Sequence, residues 1–143
     1  MNEQLLFWFV VGCCYLNFKM LANSLVQGYG RHRYKSFKYR EDAPFFRAEL
    51  PVGSEQPELL TRADACWRND LENIPGFIVA ALCGLFCDVP LEVYRTLIVL
   101  FCAGRTVQTV CLLLALQPWR FLGFLLGQVC TAAMFVWSLR SFL

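Results

Sequence analysis

RADACWRNDLENI, residues 62–74, is the most informative segment of this chain for its fold. It places a dense run of charged and amide side chains directly before the apolar segment 74–87, which carries no charge. Charges at a membrane boundary are costly to bury and need either partners or a function. The apolar segment alone is short for a membrane span, but a helix that continues back through the polar run has the required length of about 20 residues.

Three further apolar blocks lie on either side of this stretch, and each is long enough to cross a bilayer. The chain has 143 residues and is 57% hydrophobic. We therefore predict one domain, 1–143, that is all-α and forms an integral membrane bundle of four helices. The predicted helices cover about 5–27, 59–88, 92–116 and 119–142, with a cytosolic loop at 28–58.

The connections between these helices differ in charge. The short connection at 88–92 is acidic. Basic residues with no acid among them follow the first helix: Arg31, Arg33, Lys35, Lys38 and Arg40. By the positive-inside rule, the long loop and the turn at 117–120 face the cytosol. The basic stretch also suits lipid headgroups, whereas no nucleic-acid partner is expected because no nucleic-acid-binding fold accompanies it.

Cysteine and histidine usage excludes several kinds of site. Seven of the eight cysteines lie in apolar blocks, where a free cysteine behaves as a small apolar residue. His32 is the single histidine in the sequence, so neither a metal site nor histidine-based catalysis is expected. Cys66 lies at the cytosolic boundary, and both an inert thiol and a redox-modulated thiol remain open for it.

Two cations lie inside apolar blocks. Lys19 belongs to a row of polar side chains that recurs every fourth residue along the first helix, and Arg105 lies well inside the third predicted helix. Exposure to lipid would cost either cation several kcal/mol. We expect Lys19 to pair with a carboxylate of the second predicted helix and Arg105 to pair with Glu72.

Arg68, Asn69 and Glu72 share one helix face, because they lie within about one turn of each other. A cation, an amide and a carboxylate at the cytosolic mouth of a membrane bundle form a site suited to a small zwitterion. Two interpretations remain open. The residues bind a ligand, or, together with Arg105, they only hold helices together.

The same run resembles a family signature. RxxxxxRNDLENI over 62–74 is similar to the second helix of the MAPEG family (membrane-associated proteins in eicosanoid and glutathione metabolism). The likeness is greatest to the branch of the type-1 microsomal glutathione transferase and the microsomal prostaglandin E synthase. It extends to shorter segments: FKM at 18–20, RHRYK at 31–35, EDA at 41–43, GR at 104–105 and PWR at 118–120.

The resemblance implies a homotrimer that binds glutathione, as cosubstrate, between subunits on the cytosolic side. It implies an endoplasmic reticulum or mitochondrial outer membrane location. It assigns catalysis to Arg120, beside the glutathione sulfur, and to Asp42, which matches a loop carboxylate of the synthase branch. It assigns glutathione binding to Arg31, Arg68, Asn69, Glu72 and Gln108. A guanidinium in a water-poor site lowers the pKa of a thiol from its free value of about 8.5, which favours the thiolate.

Several positions depart from the synthase branch and argue against a specialised prostaglandin E synthase. Ala65 stands in place of an arginine and Gln108 in place of a histidine. Leu112 and Phe124 replace tyrosines, and Phe121 replaces a serine. Pro75 comes one residue early. We predict a membrane glutathione transferase that conjugates hydrophobic electrophiles in detoxification, or also reduces lipid hydroperoxides. A prostaglandin E synthase and a non-enzymatic scaffold that presents lipid remain the alternatives.

Overall fold

The structure, a computed structural model, describes residues 2–37, 42–45 and 56–143. Its helices are α1 (Glu3–Tyr34), α2 (Asp42–Phe45), α3 (Glu58–Phe86), α4 (Leu91–Leu113) and α5 (Trp119–Arg140). The four long helices, α1, α3, α4 and α5, pack against one another as a bundle. The all-α prediction with four long helices is confirmed.

α1 is longer than predicted. It continues from residue 27 to Tyr34, through positions that the sequence assigned to the loop. Packing explains the extension, because Gly30 lies against α3 so closely that a Cβ there would be 2.7 Å from Leu60 Cδ2. The basic residues Lys38 and Arg40 lie outside the described residues.

Three helices, α1, α4 and α5, are long and apolar enough to cross a membrane. The outward side chains of α1 include Phe18 and Leu25, which are 70% and 66% exposed and suit a lipid environment. The apolar part of α3, 74–86, is roughly 20 Å long, which is less than the hydrocarbon core of about 30 Å. A fourth membrane span therefore stays a prediction, and it requires the polar half of α3 to enter the membrane.

A stripe of buried residues on α3 faces the other helices. Its members recur at three- and four-residue intervals and include Ala63, Cys66, Asp70, Ile74, Phe77 and Ala81. Phe77 stacks on Phe101 of α4, with 3.7 Å between ring centroids and 4° between ring planes. This packing fixes the rotation of α3, so Asp70 lies on the buried stripe and Glu72 does not.

α4 and α5 approach each other closely at two glycines. A Cβ on Gly123 would be 2.8 Å from both the Gly104 carbonyl oxygen and the Gln108 backbone nitrogen. Those contacts are to backbone atoms, so a larger residue at position 123 would force the helices apart. The close approach brings Gln108 next to the beginning of α5, where Arg120 lies.

Candidate functional site

Asp70 is the centre of a buried charge cluster that joins three helices. Its Oδ2 lies 2.6 Å from Lys19 Nζ on α1, and its Oδ1 lies 2.8 Å from Arg105 Nη2 on α4. The side chains of Asp70 and Arg105 are 0% and 1% exposed. A carboxylate shared by two cations satisfies charges that would otherwise be costly to bury.

The cluster confirms one sequence prediction and overturns another. Lys19 pairs with a carboxylate of α3, as expected. The predicted partner of Arg105, Glu72, is wrong, because Arg105 pairs with Asp70. Two residues along a helix correspond to a rotation of about 200°, so Glu72 is directed away from the bundle and is exposed.

A cleft of about 340 Å³ opens between α3, α4 and α5, next to the buried cluster. We call it the α3–α4–α5 cleft. Each helix contributes one of the predicted site residues: Asn69, Gln108 and Arg120. Its remaining lining residues are Ala65, Leu112, Gln117, Phe121 and Phe124.

The polar groups of this cleft are held in different ways. Asn69 Oδ1 accepts a hydrogen bond from Arg105 Nη2 at 2.5 Å. Gln108 is 4% exposed, and its Oε1 has no hydrogen-bond partner among the described residues. The Gln117 amide oxygen, oriented toward Arg120, accepts hydrogen bonds from Arg120 Nη2 at 3.3 Å and from Arg120 Nε at 3.2 Å. The cleft therefore combines an exposed guanidinium with a buried amide that has free hydrogen-bonding capacity.

Arg31 and Arg68 line a second cleft, of about 160 Å³, between α1 and the beginning of α3. We call it the α1–α3 cleft. Its other lining residues are Gln27, Gln56, Leu60 and Asp64. The Arg68 side chain is 74% exposed, and its Nη2 lies 2.5 Å from Asp64 Oδ2. One chain thus distributes four of the five predicted glutathione-binding residues over two clefts.

Two predicted site residues line neither cleft. Glu72 is exposed on α3, where its charge acts on Arg68. Asp42 is half-buried in the short helix α2, and within residues 2–37, 42–45 and 56–143 no hydrogen bond or ion pair connects it to another predicted site residue. A role of either residue in a ligand site stays a prediction.

Sequence reasoning missed three polar contacts around the α3–α4–α5 cleft. The Gln117 amide oxygen accepts hydrogen bonds from Arg120. This contact could have been predicted, because Gln117 lies three residues before Arg120 in the same turn. Asn73 Nδ2 donates to the Asn69 carbonyl oxygen at 2.6 Å, and Gln128 Nε2 of α5 donates to Asn73 Oδ1. The contact between Gln128 and Asn73 depends on the packing of α5 on α3, for which the sequence carries no signal.

Five of the departures that the resemblance to the synthase branch implies lie together in space. Ala65, Gln108, Leu112, Phe121 and Phe124 are far apart in the sequence, yet all of them line the α3–α4–α5 cleft. The resemblance therefore implies that, relative to the synthase branch, this one cavity is more apolar and has fewer hydrogen-bond donors.

Cys66 lies on the buried stripe of α3 and is 1% exposed. Its Sγ lies 3.8 Å from the Thr109 carbonyl oxygen of α4. A thiol that packs between helices is shielded from oxidants in solution, so its position favours the inert interpretation.

The family model described as the MAPEG family matches residues 6–140 of the chain. A comparison with curated proteins gives no match. The matched residues include the buried charge cluster and the predicted contacts in both clefts. The family resemblance carried by residues 62–74 is confirmed, and its branch stays a prediction.

Proposed function

We propose, from the premise that the chain belongs to the MAPEG family, that it is a membrane glutathione transferase. The family includes glutathione transferases and prostaglandin E synthases. Three helices long and apolar enough to cross a membrane make this chain an integral membrane protein. One observation carries the proposal: Asn69, Gln108 and Arg120, from three different helices, line a single cleft.

Arg120 supplies the chemistry that conjugation requires. A guanidinium stays protonated at every physiological pH, and beside a thiol it favours the thiolate. The glutathione sulfur then attacks the electrophilic carbon, a C–S bond forms, and the leaving group departs with its electron pair. The thiol proton is released to solvent. Arg120 is exposed at the beginning of α5, so the sulfur of a bound tripeptide can reach it.

The charged ends of glutathione need further partners. Arg31 and Arg68 of the α1–α3 cleft suit its carboxylates, and Glu72 is an exposed carboxylate that suits its ammonium group. We propose that the chain forms a homotrimer in which the α1–α3 cleft of one subunit lies beside the α3–α4–α5 cleft of the next. Glutathione then lies between subunits, on the cytosolic side of the endoplasmic reticulum or mitochondrial outer membrane.

The second substrate arrives from the bilayer. Leu112, Phe121 and Phe124 give the α3–α4–α5 cleft an apolar wall, which suits a hydrophobic electrophile. Holding it against a fixed thiolate supplies much of the rate by proximity. The same thiolate supports reduction of lipid hydroperoxides, in which two glutathiones become one disulfide and the peroxide becomes alcohol and water.

The apolar wall also favours a second candidate, a scaffold that presents lipid without catalysis. A cleft that has exchanged hydrogen-bond donors for Leu112, Phe121 and Phe124 retains lipid contact even if thiolate stabilisation is weak. A prostaglandin E synthase has less support, because its loop carboxylate, Asp42, lines neither cleft.

Glutathione titration of the protein in nanodiscs separates these functions. We expect saturable binding by calorimetry, an ultraviolet thiolate absorbance, and conjugation of a generic aryl halide. Arg120→Leu should remove the absorbance and the conjugation. Arg140→Leu, the same substitution at the other end of α5, where the guanidinium lies 5.1 Å from the Trp137 ring, should retain both. Absence of glutathione binding would exclude the transferase, and binding without thiolate or turnover would favour the scaffold.

A further inference from the structure

Asn69 lies at the boundary between the buried charge cluster and the α3–α4–α5 cleft. It follows Arg68 and precedes Asp70, so the helix directs these neighbours to different surroundings. Asp70 is fully buried between its two cations, whereas Asn69 is half-buried and lines the cleft. Arg105 Nη2 contacts both residues, at 2.8 Å from Asp70 Oδ1 and 2.5 Å from Asn69 Oδ1.

This contact fixes the orientation of the Asn69 amide. A guanidinium has donors and no acceptor, so the group of Asn69 that faces Arg105 must be its oxygen. Asn73 Nδ2 reinforces the same orientation, since it lies 3.3 Å from that oxygen. The Asn69 Nδ2 amino group therefore faces away from Arg105. It has no hydrogen-bond partner among the described residues and is not among their buried unpaired atoms, so it remains accessible as a donor on a residue that lines the cleft.

We infer that Arg105 is a positioning residue for the cleft: it holds the Asn69 amide so that Nδ2 donates to an anionic or carbonyl oxygen, or to the sulfur, of the bound ligand. The inference rests on the proposed function for the identity of that ligand, glutathione. The structural role of Arg105 in the buried cluster is retained. The added role is that the ion pair with Asp70 anchors the guanidinium, and the guanidinium in turn orients a donor of the binding site.

The inferred role has a geometric requirement that a purely structural role lacks. A single nitrogen of Arg105 contacts both partners, and its planar fork keeps that nitrogen in place. A lysine at position 105 keeps the positive charge beside Asp70, but its ammonium nitrogen is one bond closer to the backbone than Nη2 of arginine. Drawn to the Asp70 carboxylate, it should lose the contact with Asn69 Oδ1 and release the amide. Arg105→Lys therefore separates the charge from the positioning.

A double-mutant cycle in nanodiscs tests the inference through the dissociation constant of glutathione. We expect Arg105→Lys to raise that constant roughly tenfold, and to change it less than about twofold when Asn69→Ala is already present. Lys19→Met is the matched control, because Lys19 contacts Asp70 but not Asn69 and its removal leaves a neutral Asp70–Arg105 pair. It should leave glutathione binding within about twofold of the unsubstituted protein. An equal effect of Arg105→Lys in both backgrounds would overturn the inference.

Two further measurements keep the test decisive. If Arg105→Lys does not fold, Asn69→Asp is used instead: it keeps the acceptor for Arg105 and removes the donor, so glutathione binding should weaken at least as much as in Asn69→Ala. Unchanged binding in Asn69→Asp would overturn the inference.

If the unsubstituted protein does not bind glutathione, the proposed function fails by itself. Nuclear magnetic resonance of asparagine-labelled protein then decides: we expect a rigid Asn69 side-chain amide that becomes mobile in Arg105→Lys, and equal mobility in both proteins would overturn the inference.

Discussion

Arg105 and Arg120 carry the same guanidinium group on neighbouring helices in opposite surroundings. Arg105 is 1% exposed and is ion-paired with Asp70 in the middle of the bundle. Arg120 is exposed, lines the α3–α4–α5 cleft and, within the part of the chain that the structure describes, contacts the neutral amide of Gln117. Burial together with a neutralising carboxylate makes Arg105 part of the scaffold of the bundle, whereas exposure leaves Arg120 available to a ligand.

The two surroundings also differ in what a substitution should change. Removing one member of a buried ion pair leaves a charge without compensation, and the cost appears in the free energy of unfolding. Removing an exposed guanidinium leaves nothing buried and unpaired, so the cost should appear in binding and turnover.

Asp70→Leu should have the largest effect on stability. It leaves Lys19 and Arg105 as two buried cations with no carboxylate between them, and we expect a loss of about 3–5 kcal/mol in the free energy of unfolding. Thermal unfolding in nanodiscs, followed by circular dichroism, measures it. Asp64→Leu is the control, because its partner Arg68 is largely exposed, and it should unfold close to the temperature of the unsubstituted protein. Equal unfolding temperatures for both variants would contradict the central role of Asp70.

Gly123→Ala should weaken the cleft through the backbone. The added Cβ would lie 2.8 Å from two backbone atoms of α4, so α5 must shift, at a cost of about 1–3 kcal/mol in the free energy of unfolding. Because Arg120 and Gln108 lie on the two displaced helices, glutathione affinity should fall as well, as measured by calorimetry.

Gly76→Ala is the matched control for that substitution. A Cβ at position 76 of α3 meets nothing within 4 Å, and alanine is favoured over glycine inside a helix by roughly 0.5–1 kcal/mol. We expect equal or higher stability and unchanged glutathione binding. A destabilised Gly76→Ala would show that the loss in Gly123→Ala does not report on the close approach of α4 and α5.

Arg120→Lys should separate charge from geometry in the cleft. Lysine keeps a positive charge near the position proposed for the glutathione sulfur but lacks the planar fork that Gln117 holds. We expect kcat/KM for conjugation to fall roughly tenfold, between the unsubstituted protein and Arg120→Leu, with an unchanged unfolding temperature. Activity as low as that of Arg120→Leu would show that charge alone does not stabilise the thiolate.

Gln117→Ala should have the smallest effect. It removes one neutral acceptor from a solvent-exposed guanidinium, and such a hydrogen bond contributes about 0.5–1.5 kcal/mol. We expect a roughly threefold decrease in kcat/KM with no change in stability. Steady-state kinetics with the aryl halide measure it, and unchanged kinetics would mean that Arg120 needs no support from the turn.

The charged residues show how far sequence reasoning reaches. A lysine in an apolar helix requires a carboxylate, so the pairing of Lys19 with α3 followed from solvation energy alone. The choice between Asp70 and Glu72 required the rotation of α3. A signal was present, since Asp70 continues the three- and four-residue spacing of the buried stripe and Glu72 does not, but the density of charge in residues 62–74 obscured it.

The number of long helices, the family, and the need of buried cations for partners can all be inferred from the sequence alone. These depend on composition, on a local motif and on the cost of charge in an apolar medium. Only the packed structure shows which carboxylate pairs with Arg105. It also shows that the predicted site residues divide between two clefts, with Asn69, Gln108 and Arg120 in one and Arg31 and Arg68 in the other. Those outcomes depend on helix rotation and on the backbone contact at Gly104 and Gly123, and both result from packing between segments that are distant in the chain.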